Sequence, residues 1–405
     1  MSLSVLLTLG RLPKALELAR ALHDAGARVF VADPFARSLC KPSRAVAGYF
    51  QTPAPRDGPE AYRAALRELV RREKIDLVVP VSEEAIHVAP LGPVVAGRAR
   101  VYGPAIVGID ALHDKLGFIE TAHEAGLAAP ETARADEPAA LEIARSGDYV
   151  VKRRRGCSGV GLSMRPRGAP LSPSDRSENH VVQRRLRGRE VSSFAICRNG
   201  EVLGGVLYEG LVFAGTVATC FRRVDDAPAA EAWVKEFVAR TNYDGFVAFD
   251  LIVDPYGEAK PIECNPRLTS GVHFFQPDDL AACVLGEKLP TGKLRLKRQK
   301  AFQEGHTTLS LAYASIGRPR EFVRRVRAMA GARDVLWSLR DPAPFLMMTP
   351  MSWDVLRPVL FDGVTFGEAA TRDLEPPHRL EIAREVAPAP AFAPHRRAAE
   401  TVQAQ

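Results

Sequence analysis

The first hundred residues alternate between short apolar runs and segments with helical spacing, and this alternation constrains the fold more than any other feature. LSVLLTL (3–9), RVFVA (28–32) and DLVVPV (76–81) are typical of strands buried on both faces. An amphipathic segment, KALELARALHDAG, lies between the first two. Because strands that alternate with helices form a parallel, doubly wound sheet, the pattern predicts an N-terminal α/β domain over residues 1–108.

The carboxyl edge of this predicted sheet offers little evidence for a dinucleotide site. The turn 8-TLGR-11 has one glycine where a dinucleotide fingerprint requires GxGxxG. Asp33, at the end of the second strand, either binds a ligand at this edge or lies in a solvated turn before Pro34.

Beyond a largely helical stretch at 109–147, the pattern changes to antiparallel strands. The predicted strands lie in HVVQRRL, VSSFAICRNGEVLGGVLY and FVAFDLIVDPYGEAKPIECN. The second segment contains an NG hairpin turn and the third contains a YG hairpin turn. This predicts an α+β domain over 109–290. A small, mostly helical subdomain is expected over 291–385, followed by a disordered Ala/Pro-rich tail over 386–405.

Composition limits the cellular location and the classes of binding partner that are expected for this protein. No apolar stretch reaches 18 residues, and the N-terminus lacks the basic region and cleavage site of a signal peptide. The six cysteines form no CxxC pair, which argues against a zinc site and favours a reducing, cytoplasmic location. Net charge is +1 over residues 1–290 and +6 over 291–405, so the main body has no nucleic-acid footprint.

A lysine before a glycine-rich turn suggests a phosphate site. Lys152 ends the strand YVVKRRR, and GCSGVGL follows with Gly156, Gly159 and Gly161. Glycines let backbone amides surround an anion, and the lysine adds a point charge. A hairpin with a solvated arginine run is the alternative. No GK[ST] ends the turn, so it is not a P-loop.

The segment 250-DLIVDPYGEAKPIECNPR-267 is the second candidate site. Glu263 and Asn265 are two residues apart in one strand and point to the same face, and a hairpin at Tyr256–Gly257 brings Asp250 beside them. Two carboxylates and an amide oxygen are hard ligands of the kind that Mg²⁺ prefers. Arg267 follows with a guanidinium suited to phosphate.

Five segments in order resemble the ATP-grasp superfamily, nearest in layout to its carbamoyl-phosphate-synthase-like members. They are 75-IDLVVPVSEEA-85, 108-GIDALHDKLGFIETAHEAGLAAPET-132, 150-VVKRRRGCSGVGL-162, 183-QRRLRGRE-190 and 263-ECNPR-267. The resemblance covers about residues 1–285. It implies a two-lobed grasp domain whose flexible lid spans about 115–185.

The resemblance assigns roles position by position. Lys115 and Lys152 are expected to reach the ATP phosphates, and the loop with Gly156, Ser158 and Gly159 to close over them. The backbone around Val182–Leu186, which includes Gln183, is expected to form the adenine hinge, and Glu190 is expected to bind the ribose hydroxyls. Asp250, Glu263 and Asn265 are expected to hold Mg²⁺ or Mn²⁺, and Arg267 to face the transferred phosphoryl group.

The sequence departs from the family at the hinge. Arg184 and Arg185 stand where the family has Glu-Tyr, so the usual glutamate contact to adenine is missing. Arg222 and Arg223, expected in a loop at 219–226, are candidates for the substrate carboxylate, with a solvated pair as the alternative. His273 is expected either to line the acceptor pocket or to pack elsewhere.

The resemblance implies that ATP activates a small-molecule carboxylate as an acyl phosphate, which an amine or similar nucleophile then captures. Lys152 and Arg267 would spread the developing charge. Two alternatives stay open at this point. One is kinase-like phosphoryl transfer without ligation, and the other is a nucleotide-binding regulatory protein.

The region after residue 290 matches no family motif. It holds a basic run, 293-KLRLKR-298, a basic amphipathic segment, FVRRVRAMA, and an apolar segment, 343-APFLMMTPMSWDVL-356. Weak contact of 293–356 with an anionic membrane surface, homodimerisation, or packing as a helical subdomain are the three interpretations. Since all five motifs end by residue 267, the ATP site is expected to be complete without this region.

Overall fold

The computed structural model describes residues 2–156, 161–289, 291–363, 369 and 371–374, and begins with the predicted parallel sheet. Its strands are β1 (Ser4–Leu7), β2 (Arg28–Asp33), β3 (Gly48–Gln51), β4 (Leu77–Val79) and β5 (Arg100–Val101), in the order β3-β2-β1-β4-β5. The helices are α1 (Pro13–Asp24), α2 (Pro59–Arg72), α3 (Ala85–Val88) and α4 (Leu91–Val95). The chain passes from β1 to β2 on one side and to β4 on the other, so the strand order reverses beside β1.

A smaller antiparallel sheet follows and corresponds to the predicted lid. Helices α5 (Ile106–His113) and α6 (Lys115–Glu124) lead into it. Its elements are β6 (Thr132–Arg134), α7 (Pro138–Ser146), β7 (Tyr149–Arg153), β8 (Ser163–Arg165) and β9 (His180–Arg184), with the strands in the order β6-β9-β7-β8. Tyr149, Val151 and Val182 pack under α7 in a core of their own, which fits a lobe separate from the large sheet.

The large sheet has seven strands in the order β14-β13-β10-β11-β12-β15-β16. The elements up to residue 285 are β10 (Arg189–Arg198), β11 (Glu201–Ala214), β12 (Val217–Val224), α8 (Pro228–Thr241), β13 (Gly245–Val253), β14 (Ala259–Asn265), a 3₁₀ turn (Ser270–Phe274) and α9 (Pro277–Leu285). The predicted Asn199–Gly200 turn joins β10 to β11, and both residues have positive φ, 50° and 76°. This is the backbone geometry that makes Asn-Gly a favoured hairpin turn.

The chain beyond residue 290 is continuous with the large sheet. Its elements are β15 (Ala301–Gln303), α10 (Gly305–Tyr313), α11 (Pro319–Ala330), β16 (Arg333–Asp334) and α12 (Ala343–Phe361). Strand β15 pairs with β12, and Phe302 is 3% exposed. The proposed boundary at 290 therefore cuts through one sheet. The predicted tail, 386–405, lies outside the described residues.

Helix α11 is the surface element that bears on the membrane prediction. None of its side chains is buried, and it exposes Val323 and Val326 beside Arg320, Arg324 and Arg327. Over the described ranges, no helix is both long and apolar enough to cross a membrane. Surface contact and homodimerisation stay predictions.

Candidate active site

A cavity of about 850 Å³ lies where the parallel sheet, the lid, the large sheet and the C-terminal helices meet. Its walls come from the carboxyl ends of β1 and β4, from β7 and the β9–β10 link, from β13 and β14, and from α10 and α12. Most of the predicted site residues line this one cavity, and they are described below from the carboxylate pair outward.

Asp250 and Glu263 face each other across β13 and β14, as the hairpin pattern predicted. The register slips between Asp250 and Leu251, and this bulge leaves Ile262 without a ladder partner. Asn265 is close to the pair, with Nδ2 3.4 Å from Asp250 Oδ2, and Ser192 donates to Asp250 Oδ1 at 2.7 Å. The bulge therefore lies at the predicted metal site.

Charge at this pair fits a divalent cation. Burial and, to a smaller extent, the neighbouring Glu263 carboxylate raise the pKa of Asp250 to about 6. A cation bound between the two carboxylates would relieve both effects. Within the described residues, no group of three or more His, Cys, Asp or Glu side chains is arranged to hold a metal ion; the predicted ligand set has two carboxylates and the amide of Asn265.

Two lysines converge on Glu263 from the lid side. Lys152 on β7 is buried, and its Nζ donates to Gln183 Oε1 at 2.8 Å and to the unpaired Ile262 carbonyl at 3.3 Å. Burial lowers the pKa of Lys152 to about 8, although Glu263 opposes the shift. Lys115 at the start of α6 contacts the Gly156 carbonyl at 3.0 Å and lies 3.5 Å from Glu263 Oε1. Both lysines therefore lie beside the predicted metal site.

The predicted nucleotide end lies beside these lysines. Gln183 is fully engaged, since its Oε1 accepts from Lys152 and its Nε2 donates to Thr132 at 3.0 Å. Arg184 turns its guanidinium onto Glu131, 2.7 Å away, so its charge is neutralised. The backbone N–H of Leu186 has no hydrogen-bond partner within the described part of the chain. Apolar cavity walls from Val150, Ile252 and Ile262 and the exposed Glu190 complete this end. Ser158 and Gly159 lie outside the described residues.

Arg267 connects the predicted metal site to the N-terminal domain. Its guanidinium donates to Asn265 Oδ1 at 2.9 Å and pairs with Glu83 Oε1 at 2.6 Å. Burial opposes ionisation of Glu83, but the charges of Arg267, His113 and Lys14 together with the Arg267 hydrogen bond outweigh it and lower the pKa of Glu83 to about 2. Arg267 therefore enters the site already oriented by two oxygens.

Four further side chains line or border this cavity but were missed by sequence reasoning: Arg11, Lys14, Glu83 and Glu304. Lys14 Nζ donates to the Leu268 carbonyl at 2.7 Å and to Ser82 Oγ at 3.1 Å. Arg11, Lys14 and Glu83 could have been predicted from the sequence, because they follow the carboxyl ends of β1 and β4, where open α/β sheets bind ligands. Glu304 follows a three-residue strand that leaves no pattern.

The three candidate substrate residues have separate positions. His273 lines the cavity and is held by Glu17, 3.0 Å from its Nδ1. Arg222 and Arg223 belong to strand β12, so the prediction of a loop at 219–226 is wrong. They pair with Glu209 and Asp225, respectively, and neither is among the residues that line the cavity. Strand β12 includes this segment because β15 pairs with it.

Asp33 is neither a ligand-binding side chain nor a solvated turn residue. It is fully buried and pairs with Arg11 at 2.7 Å, while its other oxygen accepts the backbone N–H groups of Gly10 and Arg11. Arg11 also pairs with Asp373. Asp33 thus fixes the turn after β1.

Comparison with known proteins places this geometry in a family. Residues 112–271 match the family model described as the ATP-grasp domain. No curated protein matches the chain.

Solved structures share the fold at low sequence identity. N5-carboxyaminoimidazole synthetase from Staphylococcus aureus has a TM-score of 0.60 and 16% identity, with 79% of this chain and 88% of that chain covered. The biotin carboxylase domain of Hydrogenobacter thermophilus 2-oxoglutarate carboxylase, in complex with MgADP, ADP and bicarbonate, has a TM-score of 0.57 and 14% identity, with coverages of 73% and 72%. L-amino acid ligase from Bacillus licheniformis has a TM-score of 0.56 and 15% identity, with coverages of 73% and 78%. The matched segment contains lid strands β6 to β9, both lysines and the carboxylate pair, so residues 112–271 form an ATP-grasp domain.

Proposed function

We propose that the protein is an ATP-dependent ligase that activates a carboxylate as an acyl phosphate and transfers the acyl group to an amine or similar nucleophile. The observation that carries the proposal is the convergence of Lys115 and Lys152 on the Asp250–Glu263 pair, inside a cavity that continues past Arg267. The structural relatives named above include a synthetase, a carboxylase and a ligase.

The nucleotide would lie between the lid and the large sheet. Adenine fits the apolar walls near the hinge, where the Leu186 N–H is available as a donor. Because Arg184 is paired with Glu131, its charge would not lie unpaired against the base, and Arg185 is the second hinge cation that lines the cavity. Gln183 acts by holding Lys152 in place rather than by contacting adenine.

Asp250, Glu263 and Asn265 would hold Mg²⁺, which when bound neutralises phosphate charge and orients the phosphates. A MgADP complex of one structural relative agrees with that choice of metal. Lys152, Lys115 and Arg267 surround the position of the transferred phosphoryl group, so their charge stabilises the negative charge that develops there.

The two chemical steps balance as follows. A carboxylate oxygen of the acid forms a bond to the γ-phosphorus, the bond to the bridging β,γ-oxygen breaks, and ADP leaves. The amine nitrogen then bonds to the acyl carbon, the acyl carbon–oxygen bond breaks, phosphate leaves, and the amine loses a proton. A site closed from water protects the acyl phosphate between these steps.

Isotope transfer tests this proposal directly. The protein, ATP and Mg²⁺ are incubated with ¹⁸O-carboxylates and hydroxylamine as the nucleophile, and ADP, hydroxamate and phosphate are measured. We expect acid-dependent ADP release, hydroxamate, and one ¹⁸O atom in each phosphate. Phosphoryl transfer to a hydroxyl would give ADP without hydroxamate or labelled phosphate. Tight ATP–Mg binding without turnover for any acid would indicate a regulatory protein, and either result would overturn the ligase proposal.

A further inference from the structure

The cavity extends beyond the Asp250–Glu263 carboxylate pair. A chain of polar contacts leads from Arg267 to Glu83, and from the adjacent Ser82 to Lys14, whose Nζ also touches the Leu268 carbonyl. These groups lie at the carboxyl ends of β1 and β4, on either side of the point where the strand order reverses. Open α/β sheets bind ligands in the crevice at such a point.

In addition to this polar rim, the same cavity has apolar wall residues from two other segments. Phe35 and Leu39 contribute from the segment after β2, and Met348, Met351 and Val355 contribute from α12. The three α12 residues have the spacing i, i+3 and i+7, so they present one face of the helix. We call the space bounded by these five side chains the apolar chamber.

Ion pairs hold α12 over the sheet edge. Arg37 in the segment after β2 pairs with Asp354, and Asp341, just before α12, accepts from Ser43 at 2.7 Å and from Arg20 at 3.0 Å. Arg11 borders the chamber, stacked 3.6 Å from the Phe35 ring centroid, but Asp33 and Asp373 neutralise its charge. These contacts attach α12 to the segment after β2, and the charge of Arg11 at the chamber is already paired.

We propose that the acid activated by this enzyme carries a bulky apolar group, aliphatic or aromatic, that occupies the apolar chamber while its carboxylate lies at the rim beside Lys14 and Arg267. This rests on the proposed function. The carboxylate must reach the phosphoryl group near Arg267, and the same cavity contains both this rim and the chamber, so the body of the acid can enter the chamber.

Chemistry at the chamber wall selects against polar acids. A second carboxylate or an ammonium group placed among Met348, Met351 and Val355 would lose its hydration without gaining a partner from them. Each methylene that enters such a wall is expected to improve kcat/KM by about fourfold until the chamber is full. Methionine side chains adapt to irregular apolar shapes, so branched and aromatic acids are expected to fit too.

A turnover series tests the inference with the full-length protein. Straight-chain acids from acetate to dodecanoate, with succinate and glycine as polar acids, are supplied with ATP, Mg²⁺ and hydroxylamine, and ADP release is measured. We expect kcat/KM to rise with chain length and then to level or fall, and succinate and glycine to be poor substrates. The Met351→Trp variant is expected to shift the optimum to acids about two to four carbons shorter, because the indole fills part of the chamber.

Leu346→Trp provides a matched control on the same helix. Leu346 is 69% exposed and is not among the cavity residues, so this variant is expected to keep the wild-type optimum. An equal shift in both variants would show that α12 acts through general stability, and would overturn the inference.

Binding gives a readout that does not depend on turnover. Dansyl-undecanoic acid is titrated into the wild-type protein with MgADP, and decanoate or succinate is added as competitor. We expect displacement by decanoate only. If MgADP binds and small polar acids release ADP while the dansyl acid does not bind, the inference fails and the proposed function stands. If the dansyl acid binds as expected but no acid releases ADP, the proposed function fails while the apolar site remains. Chain-length dependence on the amine and not on the acid also overturns the inference.

Discussion

Glu304 has a carboxyl group whose surroundings oppose its charge. Burial and, to a smaller extent, the nearby Asp334 carboxylate raise its pKa to about 7. Since the folded pKa lies above the usual value near 4.5, the folded state favours the protonated form. Stability contributed by this proton is fully present below about pH 4.5 and is lost as pH rises through 7. Glu304→Gln, which mimics the protonated form, is therefore expected to melt at a higher temperature than wild type at pH 8 and at the same temperature at pH 4.5.

Thermal unfolding followed by circular dichroism between pH 4.5 and 8.5 checks this expectation. Glu201→Gln, at an exposed position of the β10–β11 hairpin, is the control and is expected to show no such pH-dependent gain. A Glu304→Gln variant that is less stable than wild type at pH 8 would show that the carboxylate form is the stabilising one.

Glu263 is the second residue whose chemistry can be tested alone. Glu263→Gln removes one of the two carboxylates that face each other across the hairpin, so the site loses half of its formal negative charge. We expect the tightening of ADP binding by Mg²⁺ to fall by at least about tenfold, while ADP binding without Mg²⁺ changes little. Isothermal titration with and without Mg²⁺ measures both quantities. Glu258→Gln, exposed on the same hairpin, should bind like wild type, and an unchanged Mg²⁺ effect in Glu263→Gln would exclude Glu263 as a ligand.

At the scale of elements, the sequence predicted best those strands and turns whose determinants lie close together in the chain. The β13–β14 hairpin was predictable because its turn, its alternation and its carboxylates lie within one stretch of chain. Strands β15 and β16 have three and two residues and no pattern of their own, so only their partners define them. The same long-range pairing turned the expected loop at Arg222 and Arg223 into strand β12. The meeting of Asp250 with Glu263 could thus be anticipated, whereas the contribution of α12 to the cavity wall could not.

The attachment of α12 to the N-terminal domain gives an element-scale prediction. Asp341 is 7% exposed and accepts from Arg20, Ser43 and the Arg44 backbone, whereas the Arg37–Asp354 pair is largely solvated. Asp341→Ala is expected to lower the free energy of unfolding by about 2–4 kcal/mol, because buried donors lose their acceptor. Asp354→Ala is expected to cost about 1 kcal/mol or less. Urea denaturation of both variants measures the difference, and equal losses would contradict the assignment of Asp341 as the main anchor.

At the scale of the whole molecule, charge and structure divide the chain differently. The basic excess of +6 lies after residue 290, which had suggested an appendage. Strand β15, however, extends the large sheet, and α10 and α12 complete the cavity wall. Charge patterns report on surfaces, whereas the division into domains depends on which backbones pair and which side chains are buried. The ATP motifs are therefore complete by residue 267, but the cavity that contains them is not.

Truncation tests how far the C-terminal region is integrated. A chain that ends at Leu289 lacks β15 and loses Phe302, whose ring lies 5.2 Å from Phe274 in the core. We expect this chain to be insoluble or to have lost Mg-dependent ADP binding, since the exposed edge of β12 and the uncovered Phe274 both favour aggregation. A chain ending at residue 385 lacks the Ala/Pro-rich tail alone and is expected to bind ADP like the full protein. Size-exclusion chromatography and ADP titration compare the two chains. A soluble, monomeric chain ending at Leu289 with full ADP affinity would show instead that the nucleotide site folds without the C-terminal region.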